Sequence, residues 1–211
     1  YKVPKIESET KSRNGDIYQL GRHRLMVGDS GSAEDIAKLM DGKMADLLIT
    51  DPPYGVNYES KVASLKTDDK YGKLRGNRSE KYTKISNDEL TGTALVEFLT
   101  KTLGNAIGNV KDGGAYYVWY ESHTSVEFMT AMKNIDADVR QFLIWAKDRL
   151  ALSRQDYHWR HEPCLYGWKG GASHYFIGFR DMTTVIDDIS LLDNMSKKEL
   201  IAYAKELTDH V

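Results

Sequence analysis

Asp51-Pro52-Pro53-Tyr54 sets a carboxylate, a proline carbonyl and an aromatic ring side by side. Proline lacks an N–H and fixes φ, so the turn is stiff and the Pro52 carbonyl is pre-aimed. A planar exocyclic amine on a nucleobase is a poor nucleophile, because its lone pair is delocalised into the ring. Two acceptors that bond both N–H groups out of plane push the nitrogen toward sp3 and point the lone pair at an electrophile. Asp51 and Pro52 have the chemistry of those acceptors, Pro53 stiffens the turn, and Tyr54 offers a ring for stacking an extruded base. The plainer reading of the same four residues is a proline-rich turn with a capping Asp.

Such a turn needs a rigid support, and the apolar run Ala45–Thr50 just before it reads as a buried strand. Ligands of open α/β sheets bind at strand C-terminal ends. Upstream, residues 17–27 read as a hairpin about Gly21-Arg22. Gly28-Asp29-Ser30-Gly31-Ser32 then breaks the chain before a helix over 33–40 capped by Ser32, with Glu34 and Asp35 in its acidic first turn. Downstream, the pattern predicts a helix over 89–110 with Leu95, Phe98, Leu99 and Leu103 on one face, ended by Asp112-Gly113-Gly114. A strand follows at 115–119, then a helix at 122–133 with Val126, Met129 and Met132 inward. Strands at 139–146 and 162–168 come next, and a helix from Ser196 to about Leu207 opens on a capping-box spacing. Strands alternating with helices mean an α/β class with a mostly parallel sheet.

Of 211 residues, 41% are hydrophobic and 28% charged, an ordinary balance for a chain with its own core. A net charge of -2 excludes a uniformly basic nucleic-acid binder but leaves room for a local basic patch. The single cysteine, Cys164, excludes an internal disulfide framework and points to a reducing cytoplasm. No apolar run has the length of a membrane span. Residues 1–16 are polar and read as loose.

A patch of that kind follows the turn. Between Glu59 and Lys84 stand eight basic residues, Lys70, Lys73, Arg75 and Arg78 among them, against four acids. Tyr58, Tyr71 and Tyr82 flank or interleave them. Loops as long as 55–86 are functional or disordered. This one starts beside the turn, where it can close on a phosphate backbone and order on binding; the alternative is a solvated loop. Tyr157-His158-Trp159-Arg160-His161-Glu162 is dense in groups that stack or hydrogen-bond. His158 and His161 lie three apart beside Glu162, without the His-Glu-x-x-His spacing of a zinc site, and no metal is expected. Its alternative role is a core strand whose polar groups hold a neighbouring loop.

At Asp51–Tyr54 the chain resembles the amino-directed DNA methyltransferases. The resemblance includes Leu20–Leu25 with Gly28-Asp29-Ser30, Ala45–Val56 with Tyr58, Gly113–Trp119, Ile144-Trp145-Ala146-Lys147 and Gln155–Lys169. It implies transfer of a methyl group from S-adenosylmethionine to adenine N6 in double-stranded DNA, with Asp at the first motif position favouring adenine over cytosine N4. It implies Asp51, Pro52, Pro53 and Tyr54 as catalytic, and Asp29, Ser30 and Asp51 on the cofactor side. Tyr58, Lys70, Lys73, Arg75, Arg78, Tyr157 and His158 would meet DNA, with Glu162 also near the base pocket. For Gly28-Asp29-Ser30 a helix-capping loop is an equal alternative.

The resemblance further implies the permuted arrangement, in which the catalytic motif precedes the Phe-x-Gly-x-Gly cofactor motif. No glycine cluster here fits that motif. The expected fold is therefore a Rossmann-like methyltransferase sheet, mixed, with an antiparallel C-terminal hairpin and without strands 1 and 2 of the family order 3-2-1-4-5-7-6. Residues 17–172 would form the catalytic half, and 173–211 an insertion or the start of a target-recognition region. The expectation follows that the chain is a truncated enzyme or its ordered part, with the inner edge of strand 45–50 unpaired unless a covering chain or a homodimer closes it. A sheet pairing 23–27 directly with 46–50 would contradict this. Two competing readings are a DNA-binding module without transfer activity, and a methyltransferase acting on cytosine N4, RNA or protein.

Overall fold

The computed structural model describes residues 11–56, 86–151, 156–176, 178, 180–187, 196 and 198. The basic tract with Tyr58, Lys70, Lys73, Arg75 and Arg78, and nearly all of the helix expected over 196–207, lie outside the described residues.

Ile17–Leu20 (β1) and His23–Met26 (β2) form an antiparallel hairpin about Gly21, whose φ of 61° suits a tight turn. Helix α1, Ala33–Met40, starts as the sequence predicts: the Ser32 hydroxyl accepts the Asp35 N–H at 3.2 Å. The main sheet holds β3 (Ala45–Thr50), β4 (Val110–Trp119), β5 (Gln141–Ala151), β6 (Trp159–Trp168) and β7 (Val185–Asp187), in the order β3-β4-β6-β5-β7. β3 and β4 are parallel, β6 runs antiparallel to both β4 and β5, and β7 lies parallel to β5. This is the mixed sheet with an antiparallel hairpin expected of an incomplete Rossmann-like methyltransferase fold. The β1–β2 hairpin stays a separate sheet, and among the described residues β3 pairs with β4 alone.

Helices α2 (Gly92–Gly108) and α3 (Ser125–Asn134) cover one face of the sheet. Leu95, Leu99 and Leu103 from α2 and Phe128, Ala131 and Met132 from α3 are buried against Tyr116, Val118 and Leu165. Tyr116 is fully enclosed and its hydroxyl donates to the Asp138 carbonyl at 2.7 Å. Its phenol is pushed up to about 12 by burial, with the Asp138 charge adding to the effect. The opposite face is aromatic. Tyr117 meets Tyr166 at 4.9 Å, Trp119 meets Trp145 at 6.3 Å, and Trp168 stacks on His174 at 4.0 Å.

Several boundaries differ from the sequence reading. Asp112-Gly113-Gly114 does not end a helix but lies inside β4, where Gly113 has a φ of 76° and the pairing with β3 is irregular. A Cβ at Gly113 would strike the Ser173 carbonyl, so this is a glycine bulge within a strand. Helix α2 starts at Gly92 because residues 86–89 form a turn, with Asn87 at a φ of 67°. Strand β5 runs to Ala151 rather than 146, and β6 begins at Trp159 rather than 162. The buried face of α3 is also rotated. A short 3-10 turn at Ser122–Thr124 delays the helix, leaving Val126 73% exposed and turning Phe128 inward. Met129 is likewise partly exposed, while Met132 is buried as expected. Strand β7 was not foreseen, since three residues carry no readable period.

Candidate active site

The parallel pairing of Thr50 with Val118 carries β3 and β4 to the same end of the sheet, and Asp51–Tyr54 emerge there. Gly55 closes the turn at a φ of 71°. A Cβ at that position would collide with the Leu90 carbonyl and the Leu95 side chain, so only glycine lets the chain double back over α2. The next residue is tied down as well, the Val56 N–H donating to the buried Asp88 carboxylate at 3.4 Å.

Within the turn the Tyr54 hydroxyl donates a short hydrogen bond to Asp51 Oδ1. The Tyr54 ring meets Phe128 edge-on at 6.3 Å, which joins the turn to the core. Burial raises the Tyr54 phenol well above the usual tyrosine range; its bond to Asp51 and the charges of Asp51 and Glu162 act the same way. Tyr54 therefore stays a donor at neutral pH and orients the carboxylate of Asp51, a residue that is itself exposed. Asp51, Pro52, Pro53 and Tyr54 are thus brought together at one strand end.

The cofactor-side residues lie elsewhere. Asp29 Oδ1 accepts the Gly31 N–H at 2.8 Å, the Asp29 N–H donates to Asp35 Oδ2 at 2.9 Å, and the Ser30 carbonyl accepts from Asn105 Nδ2 at 3.2 Å. Asn105 is near the C-terminal end of α2, and Asn109 just beyond that helix accepts from the N–H of Ala45 at the start of β3. At about 1.5 Å per residue, roughly a strand's length separates that end from Asp51. These contacts are those of a helix-capping loop, and they do not bring Asp29 or Ser30 beside Asp51. No glycine-rich strand-to-helix turn next to Asp51 occurs among the described residues.

Tyr157 and His158 sit just before β6, at the same end of the sheet as Asp51, and Tyr157 is 89% exposed. Beside them His123, Trp159 and His161 form an edge-to-face ladder with centroids 5.7 and 5.5 Å apart. Glu121 fixes His123 through its backbone N–H and its Nδ1, both at 2.7 Å. The sequence reading missed Glu121 and His123; the acid-x-His spacing just before a helix is the signal that marks them. It also missed Lys147 as a site residue, which pairs with Glu162 across the β5–β6 hairpin. No group of His, Cys, Asp and Glu able to hold a metal ion occurs among the described residues, and none of their helices is long and apolar enough to cross a membrane.

Cys164 is buried on β6 beneath the turn. Its thiol is pushed up to about 11, first by burial, with a Val118 backbone hydrogen bond opposing and the Asp51 charge adding. Folding thus favours the neutral thiol. That contribution to stability is complete below the ordinary value of 9.0 and is lost as pH rises through about 11. A thiol alkylating reagent at about pH 8 is expected to leave the folded protein unmodified and to label it only on unfolding. Rapid labelling of the native protein would show that Cys164 is not enclosed.

Three solved structures are similar to part of this chain. M1.HpyAVI is 14% identical with a TM-score of 0.43, covering 74% of this chain and 60% of its own. The M1.HpyAVI–SAM complex is 13% identical with a TM-score of 0.41, covering 72% and 56% respectively. TTHA0409 from Thermus thermophilus is 13% identical with a TM-score of 0.42, covering 76% and 64%. The chain spans less than two thirds of the length of each of these proteins. No curated protein matches it. The family model described as DNA methylase, N6_N4_Mtase, matches residues 45–206, from β3 and the Asp51 turn through the whole main sheet, and the chain belongs to that family.

Proposed function

We propose that this chain carries the target-base side of an enzyme that methylates adenine N6 in double-stranded DNA, with S-adenosylmethionine as methyl donor. The observation that carries this reading is the Asp51–Tyr54 pair at the open C-terminal end of β3 in a DNA methylase family member. Tyr54 holds one carboxylate oxygen of Asp51, which leaves the other to accept an amine N–H. The Pro52 carbonyl accepts the second N–H, and the nitrogen lone pair is then directed out of the base plane. S-adenosylmethionine, when bound, would supply the methyl group to this lone pair, its carbon–sulfur bond giving way to the new carbon–nitrogen bond. The resulting cationic amine is acidic enough to lose its proton to Asp51 or to water, so no strong base is required. Catalysis of this kind is positioning and electrostatics. A flipped base would stack on the Tyr54 ring, with Tyr157 and His158 on the DNA side of the same strand end. Lys70, Lys73, Arg75 and Arg78 are proposed phosphate contacts of the tract that follows the turn.

The test is methyl transfer from radiolabelled S-adenosylmethionine to duplex DNA, followed by digestion and chromatography of the bases. Label is expected in N6-methyladenine, with none incorporated into duplexes built only of G and C. Label in N4-methylcytosine would overturn the adenine assignment alone. Absence of both transfer and S-adenosylmethionine binding by calorimetry would favour a DNA-binding module.

A further inference from the structure

Strand β5 does not run evenly to its end. Ala146 faces His161 and Ala151 faces Trp159, so five steps on β5 oppose two on β6. Lys147 to Leu150, four residues opposite Arg160 alone, form an irregular bulge, a device that re-aims side chains next to active sites. The bulge carries two cations. Lys147 is part-buried, lies 5.7 Å from the centre of the Trp145 ring and pairs with Glu162. Arg149 projects into solvent, its side chain 90% exposed, with Asp148 at 3.4 Å. Arg160, opposite the bulge on β6, donates from Nε to the Lys147 carbonyl at 3.0 Å, which ties a third cation to the bulge backbone.

This cluster stands at the strand end that carries the Asp51 turn. Trp145 and Glu162 are paired across β5 and β6, and Trp145 touches Trp119 of β4, the strand beside β3. Glu162 is close enough for its charge to act on the Tyr54 phenol. Glu162 is therefore near both the turn and Lys147. Three cations on paired strands, two of them arginines with forked donors, suit phosphate groups. The ion pair holds Lys147 in place and withholds it from another anion.

We infer that Lys147, Arg149 and Arg160 grip the sugar–phosphate backbone of DNA beside the base pocket, and that Glu162 competes with a phosphate for Lys147. This rests on the DNA reading above and adds a contact surface and an internal competitor to it. The two halves of the inference make predictions of opposite sign. Lys147→Met removes a phosphate contact, whereas Glu162→Gln releases one. A pair that served only to hold the hairpin together would make both substitutions harmful.

The experiment is duplex DNA binding by fluorescence anisotropy across a salt series, with thermal unfolding of each variant alongside. Lys147→Met is expected to weaken binding and to flatten the slope of log affinity against log salt by about 0.9. Glu162→Gln is expected to tighten binding about threefold, the value of a partly exposed ion pair, and a gain of affinity cannot arise from misfolding. Lys147→Arg should restore the wild-type slope. An unchanged slope in Lys147→Met, or weaker binding in Glu162→Gln, overturns the assignment while leaving the DNA reading intact. A wild-type protein with no salt-dependent affinity for DNA would overturn both.

Discussion

Asp51→Ala is expected to reduce methyl transfer by about a thousandfold or more while leaving DNA affinity within a few-fold of wild type. The substitution removes the acceptor that bends the target amine out of plane, an interaction made in full only as the nitrogen becomes tetrahedral. Binding should survive, because phosphate contacts carry most of the affinity for DNA. The structure adds a consequence specific to this turn. Tyr54 donates to Asp51, so the alanine substitution leaves a half-buried phenol without that acceptor. Stability should therefore fall by about 1–2 kcal/mol. Asp51→Asn separates the two effects. An amide oxygen can still accept from Tyr54 and preserve stability, but the amide NH2 placed against the target amine cannot take a proton or neutralise the developing charge. Transfer should remain low at near-wild-type thermal stability. Single-turnover transfer and DNA affinity measured on both variants decide the matter, and activity within tenfold of wild type in Asp51→Ala would remove Asp51 from the mechanism.

The placement of the Asp51–Tyr54 turn at a strand end was readable in advance because its physics is local. An apolar run ending in Asp-Pro-Pro-Tyr needs no distant information to be placed at a strand end, and the Ser32 cap, the Gly21 turn and the α2 core face rest equally on short-range pattern. What escaped the reading depended on partners far along the chain. Asp112-Gly113-Gly114 has the composition of a helix stop, yet the approach of Ser173 makes it a bulge in β4. The phase of α3 depends on the turn at Ser122–Thr124, and a shift of that size exchanges Val126 for Phe128 at the core. Strand extension from 146 to Ala151 required the bulge opposite Trp159, and bulged residues break the alternation that sequence reading follows. Asp29 shows a different difficulty. Asp and Ser before a helix order its entry loop as readily as they meet a ligand, and the described contacts of Asp29, with the Gly31 N–H and the Asp35 carboxylate, are of the first kind.

Phe128 joins the two halves of this account, and Phe128→Ala is expected to destabilise the protein by about 3–5 kcal/mol. The side chain is fully buried, packs within the α2–α3 core, and meets both Tyr120 at 5.9 Å and Tyr54 at 6.3 Å. A loss of that size is a large part of the roughly 5–15 kcal/mol that holds a typical domain together. Urea denaturation should show a markedly lower midpoint with little change in slope, because the cavity alters stability rather than the surface exposed on unfolding. Phe128→Leu refines the test. Leucine keeps most of the apolar volume and should cost far less, but it has no ring edge to offer Tyr54, a contact worth about 0.5–1.5 kcal/mol. Under conditions where the leucine variant is fully folded, methyl transfer should still fall, since a Tyr54 free to tilt no longer aims Asp51. Transfer that tracks folded fraction alone would mean that Phe128 supports the core and nothing more. Transfer that falls ahead of unfolding would place the stacking geometry of Tyr54 under the control of α3.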